Sequence, residues 1–174
     1  MSKINYKKTI VLGVGAVAIV SAGFFITQLL SPPKVTVDVA DLEIKLRAGK
    51  NAVKIGSSQN AVISALGQPK QIAPYSTQAH YKQGTVLNYN GAKFIFIHDK
   101  LANFEITSHK YNVGLASAHK YNAIGNTEAE LPAFKIQDKT ALLDVTNDDS
   151  TTNQYLEYDL SDAGTVTKIS YSDY

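Results

Sequence analysis

Residues 55–69, IGSSQNAVISALGQP, return in weaker form 69 residues later, beginning Ile124-Gly125-Asn126-Thr127-Glu128. Each copy leads to a Leu-x-Tyr run, and Leu87 and Tyr89 stand as far from Gly56 as Leu156 and Tyr158 do from Gly125. A repeat of this length is one supersecondary unit used twice, so it constrains the whole fold. In the first copy Ser57 or Ser58 offers a side-chain oxygen to a free N–H of a first helical turn. Ala61, Val62, Ala65 and Leu66 form one apolar stripe at helical spacing. Gly67 stands where a C-terminal cap is needed, and Pro69 prevents continuation. So short a helix is unstable alone in water and must dock on a sheet. Gly56, Ser57, Val62, Leu66, Gly67 and Pro69 therefore read as a folding motif rather than as chemistry.

The second copy carries a capping-box pattern, Thr127 with Glu130, which starts a helix. Pro132 lies inside that helix and removes an internal hydrogen bond, so this copy is short, kinked or largely lost. Around the two motifs the pattern has period two. Val35, Val37 and Val39, then Leu42, Ile44 and Leu46, alternate with polar residues and predict a strand or bent strand pair with one buried face. Residues 85–89, 93–98 and 101–107 predict a three-stranded antiparallel meander, with Asn90-Gly91 and Asp99-Lys100 as its turns. Residues 141–145, 154–160 and 165–171 predict a second meander. The polar residues 68–84, with Pro74 and Tyr75 in their middle, read as a long loop. His109-Lys110-Tyr111-Asn112 and His119-Lys120-Tyr121-Asn122 repeat one another across a small-residue link.

Before all of this, residues 9–30 hold no charged side chain. At the helical rise they reach roughly 33 Å, against a bilayer core of about 30 Å. Lys3, Lys7 and Lys8 precede them, so the positive-inside tendency leaves the tip in the cytoplasm and sends the remainder across the membrane. The alternative is a cleaved signal peptide with a small-residue site at Val20-Ser21-Ala22. The apolar run continues past that site through Phe24, Phe25, Leu29 and Leu30, which favours an uncleaved anchor. The domain order is then a tip (1–8), a transmembrane anchor (9–30), a Pro-rich linker (31–34), a first repeat (35–108) and a second, degenerate repeat (109–174).

Composition excludes several functions. Three of the 17 basic residues lie in the tip, leaving 14 against all 15 acidic ones, with Arg47 the sole arginine. That balance argues against nucleic-acid binding. The absence of cysteine removes disulfides, thiolate metal sites and thiol nucleophiles. The histidines lack the spacing of a metal site. Asp144, Asn147, Asp148, Asp149 and Asp159 do not match a calcium-loop pattern. No Gly-x-Ser-x-Gly element marks a nucleophile. No catalytic, metal or cofactor residue is assigned. Tyr75, Tyr81, Tyr89, Tyr111 and Tyr121 remain as aromatic anchors for a protein partner, Tyr75 and Tyr81 foremost because they fall in the loop at 71–82.

The residues Ile55, Gly56, Val62, Leu66, Gly67, Pro69, Leu87, Tyr89, Phe94, Phe96, Asp99 and Leu101 give a pattern that resembles the BamE (SmpA/OmlA) family and the related β-lactamase-inhibitor-protein-like domains. The resemblance covers residues 53–107 well and 122–171 in outline. It implies a small α+β domain that binds proteins and catalyses nothing. BamE-type proteins are lipidated at a cysteine, which this chain lacks, so membership of an outer-membrane assembly machine is not implied. The expected fold is α+β, with short helices packed on antiparallel β-meanders in two tandem repeats after one transmembrane helix. The expected function is an accessory or assembly subunit of a cell-envelope complex, held in the inner (plasma) membrane by residues 9–30. A secreted or periplasmic enzyme inhibitor is the alternative, with an envelope hydrolase or glycan-binding domain behind it.

Overall fold

In a computed structural model, residues 36–77, 82–132, 135–146 and 154–172 are described, all within one compact unit, Pro33–Tyr174. In chain order the strands are β1 (Thr36–Asp38), β2 (Leu42–Leu46), β3 (Ala52–Lys54), β4 (Gln71–Thr77), β5 (Lys82–Tyr89), β6 (Ala92–Ile97) and β7 (Lys100–Ile106). They continue with β8 (Tyr111–Leu115), β9 (Lys120–Asn122), β10 (Lys135–Gln137), β11 (Thr140–Thr146), β12 (Gln154–Leu160) and β13 (Val166–Ser172). Among the described residues there is one α-helix, α1 (Gln59–Leu66). Single 3-10 turns occupy Val39–Asp41 and Glu128–Glu130.

The first repeat's helix forms as its sequence dictates. Ser58 Oγ accepts from Ala61 N at 3.3 Å, and Gly67 N closes the helix on Ile63 O at 2.9 Å. Val62 and Leu66 are its buried residues. Full burial of such side chains contributes about 1.5–3 kcal/mol each, which offsets the marginal stability of two turns. In the second repeat Thr127 and Glu130 do form a capping box, but only one 3-10 turn follows before Pro132.

The strands build a nine-stranded sheet, ordered β1-β11-β12-β13-β7-β6-β5-β4 with β10 also on β11, and a four-stranded sheet, β3-β2-β8-β9. Among the described residues every pairing is antiparallel except β1 on β11. One continuous core lies between them, drawing Leu42, Ile44 and Val113 from the smaller sheet and Phe94, Phe104, Tyr158 and Tyr171 from the larger. This corrects the α+β expectation: the chain is predominantly β, and its repeats are not meanders each under its own helix. Pro132 removed one helix. Residues 68–84, read as a loop, contain β4 and the start of β5. Their polarity misled because β4 is an edge strand. Pro74, having no N–H, fits such a strand only with its nitrogen on the open side.

The two repeats are related by an internal two-fold pseudo-symmetry. In the β2–β8 ladder Leu42 faces Leu115, Ile44 faces Val113 and Leu46 faces Tyr111. Exchanging each residue for its counterpart 69 positions on returns the same ladder. At the other central seam Phe104 faces Tyr171 and Ile106 faces Ile169, which is again self-mapping. Gly56 N donates to Leu101 O at 2.8 Å in one half, and Gly125 N donates to Val166 O at 2.9 Å in the other. Both glycines hold positive φ, 84° and 93°, a conformation costly for other residues. Even the bulges correspond, between Ile95 and Phe96 and between Asp159 and Leu160. β4-β5-β6-β7 thus matches β10-β11-β12-β13. The Leu-x-Tyr register is corrected accordingly, since Leu156 and Tyr158 are the counterparts of Ala92 and Phe94, not of Leu87 and Tyr89.

Among the described residues no helix is long and apolar enough to cross a membrane. The stretch that prompted the anchor, residues 9–30, lies outside the described residues, as do the tip and linker. The transmembrane, signal-anchor and inner-membrane assignments are corrected on that finding and carried no further.

Candidate functional site

The outer face of the four-stranded sheet carries an organised polar cluster. Period-two alternation sends Leu42, Ile44 and Val113 into the core, so Glu43, Lys45, Asn112 and Gly114 face outward. On the edge strand β9 the same alternation buries Asn122 and turns Tyr121 out. Tyr121 pairs with Gly114, and Gly114 pairs with Glu43. The tyrosine ring therefore crosses the glycine and its hydroxyl donates to the Glu43 carboxylate two strands away. Gly114 is required for this. A Cβ there would lie 2.1 Å from Lys120 O and 2.7 Å from the ring's Cδ1. Lys45 Nζ sits 3.3 Å from the ring centroid, a cation–π contact that holds the other face. Tyr121 is thus fixed on three sides while remaining partly exposed.

Beside it opens a polar cleft of ≈ 450 Å³, walled by Arg47, Asn112, Tyr121 and the turn that runs from Ala123 to Asn126. The turn is rigid. Asn126 Oδ1 accepts from Ala123 N at 2.6 Å, and Asn126 O accepts from Val166 N at 2.8 Å. Arg47 is placed by its own N–H, which donates to Lys110 O at 2.8 Å, leaving the guanidinium exposed at the cleft. A second cleft of ≈ 350 Å³ lies at the other sheet's end, where Ile136, Leu160 and Glu128 flank an ion pair of Lys139 with Asp162. Ile136 there is 49 % exposed, and its two-fold counterpart Ile72 on β4 is 58 % exposed.

Of the five tyrosines named from the sequence, four are described, and they do not form one surface. Tyr75 lies half-buried on β4 opposite Gly84, and Tyr81 lies outside the described residues. Tyr89 donates to Gly67 O at 2.9 Å and meets Phe94 edge-on at 5.5 Å. Burial, with Tyr111 nearby, pushes its hydroxyl up to about 12. Tyr111 is buried, lies 6.3 Å from Phe94 and is likewise raised by burial. Tyr111 belongs to the core and Tyr89 packs against it, tied to the end of α1. Of the four described, Tyr121 stands on a polar outer face. Of the fold motif, Gly56 makes the turn, Ser57 Oγ accepts from Lys54 N at 3.0 Å, and Ser58 takes the cap.

Sequence reasoning missed Glu43, Lys45, Arg47 and Asn112. Two signals were present: a glycine inside the strand at 114, which marks a close approach, and a single arginine. Among the described residues no group of three histidines or carboxylates is placed to hold a metal. Asp144 and Asp159 face Tyr155 and Thr140 at opposite ends of the β11–β12 ladder, while residues 147–149 lie outside the described residues. Asp159 instead pairs with Lys168 at 2.6 Å, and that hydrogen bond raises the lysine.

No family model and no curated protein matches the chain. Among solved structures it is similar to an extracellular protein containing an SCP domain from Bacillus anthracis str. Ames, with 15% identity and a TM-score of 0.38. The match covers 68% of this chain and 44% of that one, so it spans less than half of the other protein's length.

Proposed function

We propose that this chain is a non-catalytic protein-binding module, an accessory subunit of a larger complex, and that the outer face around Tyr121 is its contact surface. The observation that carries this reading is the three-sided fixation of Tyr121 by Gly114, Glu43 and Lys45. A partly exposed aromatic ring held in one orientation has already lost the rotamer freedom that binding would otherwise remove. Such rings are the usual anchors of protein interfaces. The BamE-like pattern of residues 53–107 supports the same class of role.

The test is capture of the full-length protein from its own cells under mild conditions, identification of any stoichiometric partner, and remeasurement of that purified pair with Tyr121→Ala. A partner bound at least tenfold more weakly by the variant supports the proposal. A protein that stays solitary, or a pair indifferent to Tyr121, contradicts it.

A further inference from the structure

We infer that the cleft at Arg47 receives a carboxylate presented by the protein partner, a reading that rests on the binding role just proposed. The internal symmetry supplies the argument. Arg47 N donating to Lys110 O has as its counterpart Ala116 N donating to Asp41 O, at 3.0 Å. In that counterpart corner the Asp41 carboxylate lies near the surface, bound by Ser117. It accepts from Ser117 N at 2.8 Å and from Ser117 Oγ at 2.5 Å. One corner of the smaller sheet therefore carries a carboxylate of the chain itself. In the other corner Lys110 replaces that aspartate, Arg47 replaces Ala116, and an open cleft remains.

The donor chemistry fits the same group. A guanidinium presents a planar fork matched to a carboxylate, and the Asn112 amide at the cleft stands beside it as a neutral donor, while the Asn126 amide already donates to the Glu130 carboxylate. Lys45 is committed to the Tyr121 ring, and Glu43 on the same face disfavours a second negative charge. One guanidinium with one amide donor suits a single charge better than a doubly charged phosphate. The backbone N–H groups of Gly125 and Asn126 are already donated to Val166 O and Ala123 O, so side chains do the recognising.

Because Arg47 is the sole arginine, full-length protein labelled with ¹⁵N-arginine gives one Nε–H resonance that reports on the cleft. N-acetylalanine represents a chain-end carboxylate and N-acetylglutamate amide a side-chain one. N-acetylalanine amide and sodium sulfate at matched ionic strength serve as controls. The expected result is a saturable shift with one or both carboxylates, of roughly millimolar strength, with no saturable response to the amide or to sulfate. Which carboxylate binds more tightly identifies the source. In ¹⁵N-asparagine-labelled Arg47→Gln protein the Asn112 signals should no longer respond, while the remaining asparagine signals keep their positions and report an intact fold. Shifts that follow ionic strength whatever the anion, or an unchanged Asn112 response in R47Q, overturn the inference. A partner that binds R47Q at full strength but fails on Tyr121→Ala removes the carboxylate and leaves the contact face standing. A carboxylate response without any protein partner does the reverse.

Discussion

Val53 and Phe94 in the first half have as their two-fold counterparts Asn122 and Tyr158 in the second. All four are buried, yet one pair is apolar and the other is joined by a hydrogen bond from Asn122 Nδ2 to the Tyr158 hydroxyl at 3.4 Å. The same contrast recurs nearby, where the Tyr171 hydroxyl donates to buried Gln154 Oε1 at 2.7 Å while Ile106 fills the counterpart of Tyr171. Among the described residues the two buried polar side chains, Asn122 and Gln154, both lie in the second half. What the halves share is the backbone plan: strand register, the glycine turns and the bulges. The difference teaches that this plan tolerates a change of core chemistry provided each buried polar group gains a partner.

The comparison breaks most visibly at the large core side chains. Phe94→Ala should cost about 3–5 kcal/mol in a denaturant titration, and Tyr158→Ala a similar amount. Both losses should appear in one cooperative transition, because the halves contribute to a single core. Separate transitions for the two halves would contradict the shared core. Next in size is the polar pair. Tyr158→Phe should lose about 1–3 kcal/mol by leaving the Asn122 amide without its partner. Adding Asn122→Val should recover most of that loss, since the double variant recreates the first half's apolar pair. A double variant worse than either single one would show that the halves are not interchangeable here.

Gly114→Ala tests the outer face against its counterpart, Lys45. The added Cβ would meet Lys120 backbone, so a loss of about 1–3 kcal/mol is expected, with the Tyr121 ring displaced. Lys45→Ala on the same surface should stay within about 0.5 kcal/mol. Nuclear Overhauser contacts of the ring read the displacement.

The smallest expected effect is on pH dependence. The Ser117 hydroxyl bonded to Asp41 holds that carboxyl below its ordinary value of 3.8. A depressed carboxyl contributes stability that is present above the ordinary value and lost as pH falls through the folded one. Ser117→Ala should therefore be slightly less stable near neutrality, and the gap between the two proteins should close as pH falls below 3.8. A gap that is constant with pH would assign the loss to packing instead.

The helix motif was legible because each of its residues has one physical task, and the meanders were legible from alternation and turn residues. The faces of β8 and β9 were not. The same four residues, His-Lys-Tyr-Asn, occur at 109 and at 119, yet Tyr111 is buried beside an outward Asn112, while Tyr121 faces outward beside a buried Asn122. A one-residue change of register exchanges every side chain between faces, and nothing local in those four residues fixes it. It is set by the hairpin ladder onto Gly114, seven residues away and outside the repeated four. Arg47 and Glu43 escaped notice for the same reason, since their importance arises only when β2, β8 and β9 are side by side. The turns were nearly legible: the predicted Asp99-Lys100 turn is His98-Asp99, both at positive φ, with Lys100 already in β7.

The central claim, that the outer face around Tyr121 is the contact surface, has a built-in control. Ala52 is the two-fold counterpart of Tyr121 and is also exposed to solvent. A photo-crosslinking amino acid placed at 121 or at 52 of the full-length chain, in its own cells, compares the two sides directly. The account predicts a defined crosslinked partner from position 121 and none from 52. Equal crosslinking from both positions, or crosslinking from 52 alone, would contradict it.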